Sequence, residues 1–218
     1  MDQLGLSWDS VEDRQALLLQ GNDDPALGPE KLPHLSAAEY VQCGHIAAQD
    51  FEEYFKFSFV RNPFTRILSE YRYRNYFSHR SFKDFVLNKL PKPGWDDKYR
   101  HVMPQYDMLH DRDGKLLVDF VGRFETLQQD FDQVCERLGI SDSTLPHVNK
   151  SDKKSRDLKR KLRNVVYMNG ENHYRGLADF YDDETRTAVA DYYRADIEAF
   201  DYEFPLSRPF QDSASFRK

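Results

Sequence analysis

Residues Phe55 to Arg74 read FKFSFVRNPFTRILSEYRYR, and the fold is decided in this stretch. Phe55, Phe57, Phe59 and Val60 make an aromatic and β-branched run that predicts a strand. The chain then turns at Arg61-Asn62-Pro63 and continues as a helix. Asn62 suits an N-cap, and Pro63 suits the first helical position, where its missing N–H costs nothing. A helix N-terminus at the carboxyl end of a strand is an anion site, because free N–H groups and the positive dipole end point at whatever binds there. Arg61 lies in that turn, with a planar fork suited to phosphate.

The helical part sorts by face. Phe64, Ile67, Leu68 and Tyr71 follow i, i+3, i+4, i+7 spacing and are expected to pack on the sheet. Asn62, Arg66, Ser69 and Tyr73 form a polar stripe beside them. Ser69 is therefore placed to offer its hydroxyl to the anion that Arg61 reaches. Local pattern alone also allows a structural strand–helix unit whose Arg and Ser face water.

The run VRNPFTRILSEY (Val60 to Tyr71) resembles the 3′-phosphate-binding segment of sulfotransferases, in particular the carbohydrate group with its VR-(N/D/E)-P-(F/W)-x-R-(I/L)-x-S-x-Y pattern. Further runs resemble that family in the same order: MPQYDML (Met103 to Leu109), VDFVGRFETLQQDF (Val118 to Phe131), LPHVNKS (Leu145 to Ser151) and YDDETRTAVADYYRADIEAFDYEF (Tyr181 to Phe204). The resemblance implies an α/β fold: a three-layer, P-loop-NTPase-like sulfotransferase with a central parallel sheet. It implies transfer of a sulfuryl group from 3′-phosphoadenosine 5′-phosphosulfate (PAPS) to a hydroxyl, chiefly of a carbohydrate, with no metal. By the same resemblance, Arg61 and Ser69 grip the 3′-phosphate, and Asn149, Lys150 and Ser151 return to it in a loop.

The resemblance also makes a histidine shortly before the central strand the candidate base. The matching position is His34, in HLSAAEY, and a neutral imidazole can accept a hydroxyl proton near neutral pH. A surface loop histidine is the plain alternative, with His45 as a rival base. His101 and Gln105, at the MPQYDML run, are the candidate acceptor-binding residues. Arg123 and Glu125 read as structural or nucleotide-orienting. One family element has no counterpart: residues 1–218 contain no PK-x-G/A-x-T-S run of the kind that cradles the 5′-phosphosulfate. Gly114-Lys115 belongs to an RDGK turn instead. The expectation is a sheet without its first strand and phosphosulfate loop, and the rival function is non-catalytic binding of PAP, PAPS or a partner. A related kinase is disfavoured by the lack of a glycine-rich lysine loop.

Composition fits a folded globular protein. Of 218 residues, 31% are charged and 39% hydrophobic, enough for one medium domain with a core, expected over residues 1–205, and a disordered tail over 206–218. The net charge of −6 gives no reason to expect nucleic acid or membrane as partner. Without an apolar run of membrane-spanning length or a signal-peptide pattern, the expected location is cytoplasmic. Cys43 and Cys135 are too few for a disulfide scaffold and read as ordinary thiols.

Expected helices lie in residues 1–20, at Ser36 to Gln42 behind a capping box, at 46–53, at Ser81 to Leu87, in a segment closing at Gly139, and from Asp183 to Phe200. A strand is expected at Leu116 to Gly122, and a structured loop over 91–105. The run at 150–163 holds eight basic and two acidic residues. It reads as a solvated face or as an anion-collecting flap.

Overall fold

The computed structural model describes residues 24–28, 34–145 and 176–205. The expected helix in 1–20, the basic run at 150–163 and the tail after 205 lie outside them. The described residues form two compact units, one holding 24–28, 34–61 and 91–145, the other 62–90 and 176–205. Helices and a small parallel sheet make this an α/β chain.

In the first unit α1 (Ala37–Gln42) and α2 (Ala48–Glu53) precede strand β1 (Phe57–Val60). The second unit opens with α3 (Pro63–Tyr73) and α4 (Phe82–Asn88). The chain then returns to the first unit with α5 (Asp97–Val102), α6 (Gln105–Leu109), strand β2 (Phe120–Arg123) and α7 (Leu127–Leu138). Helices α8 (Asp183–Tyr192) and α9 (Arg194–Ala199) complete the second unit.

β1 and β2 pair in parallel, Phe57 with Phe120 through Val60 with Arg123. Both strands are shorter than their apolar runs predict, for one reason. Ahead of the ladder, Asp119 takes over the backbone of Lys56: its Oδ2 accepts from Lys56 N at 2.7 Å and its N–H donates to Lys56 O at 2.8 Å. A side chain thus closes the sheet where a further residue pair would extend it. Leu116 bridges back to His110, and Leu117 N donates to Leu109 O at 2.8 Å, which assigns the expected start of the second strand to the RDGK turn. Gly114 in that turn has φ 81°, a conformation that glycine takes without a Cβ penalty.

α7 covers the sheet. Val134 and Cys135 are fully buried, Phe131 meets Phe59, and the Arg137 guanidinium lies over the rings of Phe55 and Phe120 at 5.6 and 5.0 Å. Its C-terminus closes at Gly139 with φ 68°, as the sequence predicts. Burial, then nearby carboxylates, pushes the Cys135 thiol above its usual range, and burial followed by the Glu39 charge does the same for Cys43. Neither is a poised nucleophile.

The expected loop over 91–105 contains α5. Asp96 caps it, accepting from Lys98 N at 2.9 Å, and Val102 and Arg100 are buried. Six residues give too short a periodic signal to stand out beside Pro91, Pro93 and Gly94. Arg100 forms a two-point ion pair with Glu39 of α1, at 2.6 and 3.0 Å, with its side chain only 2% exposed. Glu39 also accepts from Ser36 N at 2.7 Å, its half of the predicted capping box. Burial alone would raise the Glu39 pKa. The hydrogen bonds from Arg100 and Ser36 and the guanidinium charge outweigh it and hold the carboxyl below its ordinary value.

The second unit is an aromatic core. Phe64, Ile67, Leu68 and Tyr71 of α3 are buried, but where the sequence predicts packing on the sheet their ring partners include Phe82 and Phe85 of α4, Phe180 and Tyr181 of the same unit. Asn62 caps α3, accepting from Phe64 N at 3.0 Å, while its Nδ2 donates to Glu203 O at 2.8 Å. The single helix expected from Asp183 to Phe200 is two helices. The backbone departs from helical geometry at Tyr193 (φ −106°, ψ 28°), whose ring is wholly buried under the Arg66 guanidinium. Among the described residues no helix is long and apolar enough to cross a membrane.

Two stability outcomes follow from this packing. A Cβ at Gly122 would lie 2.5 Å from the Phe59 ring and 3.0 Å from Asp130 Cβ, so Gly122→Ala is expected to cost about 1–3 kcal/mol. An unchanged urea midpoint would refute that contact. Glu39→Gln leaves the Arg100 charge buried and is expected to cost about 3 kcal/mol at pH 7. Because the folded-state pKa of Glu39 is depressed, the pair's contribution is full above the ordinary carboxylate range and is lost as pH falls through the lowered value. The gap between wild type and Glu39→Gln should therefore narrow in acid; a gap that holds from pH 7 to pH 3 would contradict the linkage.

Candidate functional site

Two of the sequence's candidate residues meet in the first unit, on either side of a third. Asp97 and His101 stand four apart on α5 and so share a face. His34 lies two residues before the Ser36 cap of α1. His34 Nδ1 is 3.2 Å from Asp97 Oδ1, and His101 Nε2 is 3.8 Å from the same oxygen. The two imidazoles stand edge to face with centroids 4.8 Å apart. Their side chains are 25%, 20% and 27% exposed for His34, Asp97 and His101, so the cluster is largely but not wholly shielded from solvent.

The Glu39–Arg100 pair explains why these groups converge. Arg100 immediately precedes His101, and Glu39 follows His34 by five residues across a capped helix start. Locking the first pair leaves the second little freedom. His34 Nδ1 lies at ion-pair distance from Asp97 Oδ1, and when the Nδ1 proton turns to that oxygen the lone pair is left on Nε2 of His34. In that tautomer Nε2 can take a proton from a hydroxyl within hydrogen-bond reach. Each of the three residues also offers a metal-ligand atom, all within 4.8 Å of one another.

Arg61 occupies the end of β1. Gln105 Oε1 accepts from Arg61 N and Gln105 Nε2 donates to Arg61 O, both at 2.8 Å. The Gln105 amide thus imitates a neighbouring strand and fixes the Arg61 backbone beyond the last ladder pair. Gln105 itself is buried. The Arg61 guanidinium lies over the Phe124 ring at 4.6 Å, a flat seat that orients the fork. Arg123 N donates to Asp130 Oδ2 at 2.6 Å, which ties the end of β2 to α7.

Ser69 is half-buried on α3 in the second unit. Asn149, Lys150 and Ser151 lie outside the described residues. His45, the rival base, has its Nε2 2.5 Å from Leu27 O and braces the start of the first unit. Asp97 was not a candidate from sequence. The signal was present as an acidic cap, Asp96, followed by Asp97 and His101 at i, i+4 spacing, but only a helical reading of the 91–105 segment exposes it.

A family model described as the sulfotransferase family matches residues 34–203, a span that begins at His34 and includes the Val60–Tyr71 run. An uncharacterized protein of Archaeoglobus fulgidus is 33% identical over 103 residues, 45% of this chain and 79% of the relative's own length. No solved structure matches the chain. With more than half its length matched, this chain belongs to the sulfotransferase family.

Proposed function

We propose that this chain transfers a sulfuryl group from PAPS to a hydroxyl, in particular of a carbohydrate, within a three-layer, P-loop-like sulfotransferase domain. The observation that carries this reading is the family match, which runs from the candidate base His34 across the Arg61–Ser69 segment. In the proposed reaction the acceptor oxygen attacks sulfur, a new O–S bond forms, and the S–O bond to the donor's phosphate breaks with its electron pair leaving on PAP. The acceptor proton passes to His34 Nε2, while Asp97 stabilises the imidazolium that forms. Asp97 is thus a positioning residue for the base. His101, beside it, is the residue proposed to meet the acceptor.

Arg61 and Ser69 carry donor anchoring, with Asn149, Lys150 and Ser151 proposed as further donor contacts. Arg61 suits a phosphate because its charge is permanent and its fork matches two oxygens at once. Gln105 contributes by holding the Arg61 backbone. No step here calls on a membrane segment or a nucleic acid, and the protein is proposed to act in the cytoplasm. A second reading is non-catalytic binding of PAP, PAPS or a partner, which would show as donor binding without turnover.

Calorimetry with PAP tests the donor assignment. Arg61→Ala should weaken binding by about 1.5–3 kcal/mol, since a charge-assisted bond is lost, and Ser69→Ala by about 1 kcal/mol. Unchanged affinity in a folded Arg61→Ala protein would remove the nucleotide from the account. Turnover tests the base. His34→Ala should lower kcat by about two to four orders of magnitude with PAPS affinity retained, and Asp97→Asn should lower kcat in the same direction. Near-normal turnover in His34→Ala would transfer the role to another group; no turnover in wild type, with PAP bound normally, would favour the second reading.

A further inference from the structure

The donor set His34, Asp97 and His101 has a second chemistry that proton transfer does not use. We propose that this cluster is a binding site for a divalent first-row cation of the zinc class, and that metal occupancy and action as a base exclude each other. The binding stands on the geometry alone; only the consequence for turnover rests on the sulfotransferase reading.

Two imidazoles and one carboxylate are a borderline donor set, which suits zinc-class ions and disfavours magnesium and calcium, whose preference is for oxygen. Bonds of about 2.0–2.1 Å around a tetrahedral ion place neighbouring ligand atoms about 3.3–3.5 Å apart. The His34 Nδ1–Asp97 Oδ1 separation of 3.2 Å already fits, and His101 Nε2 at 3.8 Å from the same oxygen needs only a small approach. All three ligand atoms lie within 4.8 Å of one another, and partly exposed rings can close the widest gap by side-chain rotation. Asp97 and His101 come from one face of α5, while His34 comes from a separate segment.

The scaffold for such a site is built in. The Glu39–Arg100 pair holds the two ligand-bearing segments together before any ion arrives, which lowers the ordering cost of binding. The side chains keep 20–27% of their exposure, and three protein ligands leave a fourth tetrahedral position for water or an acceptor oxygen. An ion on His34 Nδ1 uses the lone pair there and leaves the proton on Nε2. That is the opposite tautomer from the one a base requires, so an occupied site holds His34 unable to accept a proton.

The test is titration of chelator-treated 218-residue protein with Zn²⁺ by calorimetry and with Co²⁺ by visible absorption. One strong site is expected, with the intense bands of four-coordinate cobalt. Altering residues behind the ligands of a metal site already costs about 10–100-fold in affinity, so removing a ligand in His34→Ala, Asp97→Asn or His101→Ala should weaken Zn²⁺ binding by about tenfold or more. His110→Ala, outside the cluster, should leave it unchanged. Equal affinity in wild type and in the three folded variants would overturn the proposal. Should a variant fail to fold, the wild-type cobalt spectrum decides: weak six-coordinate bands like those of the aqueous ion overturn it. These readouts do not depend on sulfation, so an inactive enzyme and an absent metal site give different results.

Discussion

An ion pair with a buried arginine ties α1 to α5 in the first unit. Glu39 and Arg100 sit on short helices that have little stability of their own, since six residues cannot sustain a helix in water. Their two-point contact supplies what local propensity lacks, and it works because both charges are hydrogen-bonded as well as paired. A pair of this kind adds little net stability over a well-packed apolar contact, but it is specific about geometry. Here the geometry it specifies is the approach of His34 to α5. The chemistry of the cluster is therefore only as well placed as the ion pair next to it.

The strand ends follow a similar logic with uncharged groups. Arg61 emerges just past the last pair of the ladder, where its backbone N–H and C=O would otherwise lack strand partners. The side-chain amide of Gln105 meets both, and Phe124, one residue past β2, receives the guanidinium. A permanently charged fork is held at a strand end by a polar clamp behind it and a ring beneath it. That arrangement fixes the direction in which the guanidinium leaves the strand end.

Much of this was legible in the residues. The strand–turn–helix reading of Phe55 to Arg74, with Asn62 as cap and Pro63 as first helical residue, rests on local chemistry that tertiary context did not override. The capping box at Ser36 to Glu39 and the glycine stop at Gly139 were legible for the same reason. The misreadings share a cause of the opposite kind. α5 hides between prolines because a buried Arg100, and not an apolar stripe, anchors it. β2 begins late because Asp119 satisfies the Lys56 backbone, a long-range contact that no window of sequence contains. The break at Tyr193 comes from burying one large ring, which helical periodicity alone does not foresee. In the site, His34 and His101 were each visible as residues, but their meeting at Asp97 is a property of packing.

The central claim is that this sulfotransferase-family chain catalyses transfer as well as binding its donor. The most direct measurement incubates the protein with PAPS carrying radiolabelled sulfur and a panel of hydroxyl-bearing carbohydrates, then follows label in the acceptor and PAP released over time. The account predicts label appearing in a carbohydrate in one-to-one proportion with PAP, over many turnovers per protein molecule. PAP release without labelled acceptor, or bound PAPS that persists unchanged across the whole panel, would contradict it.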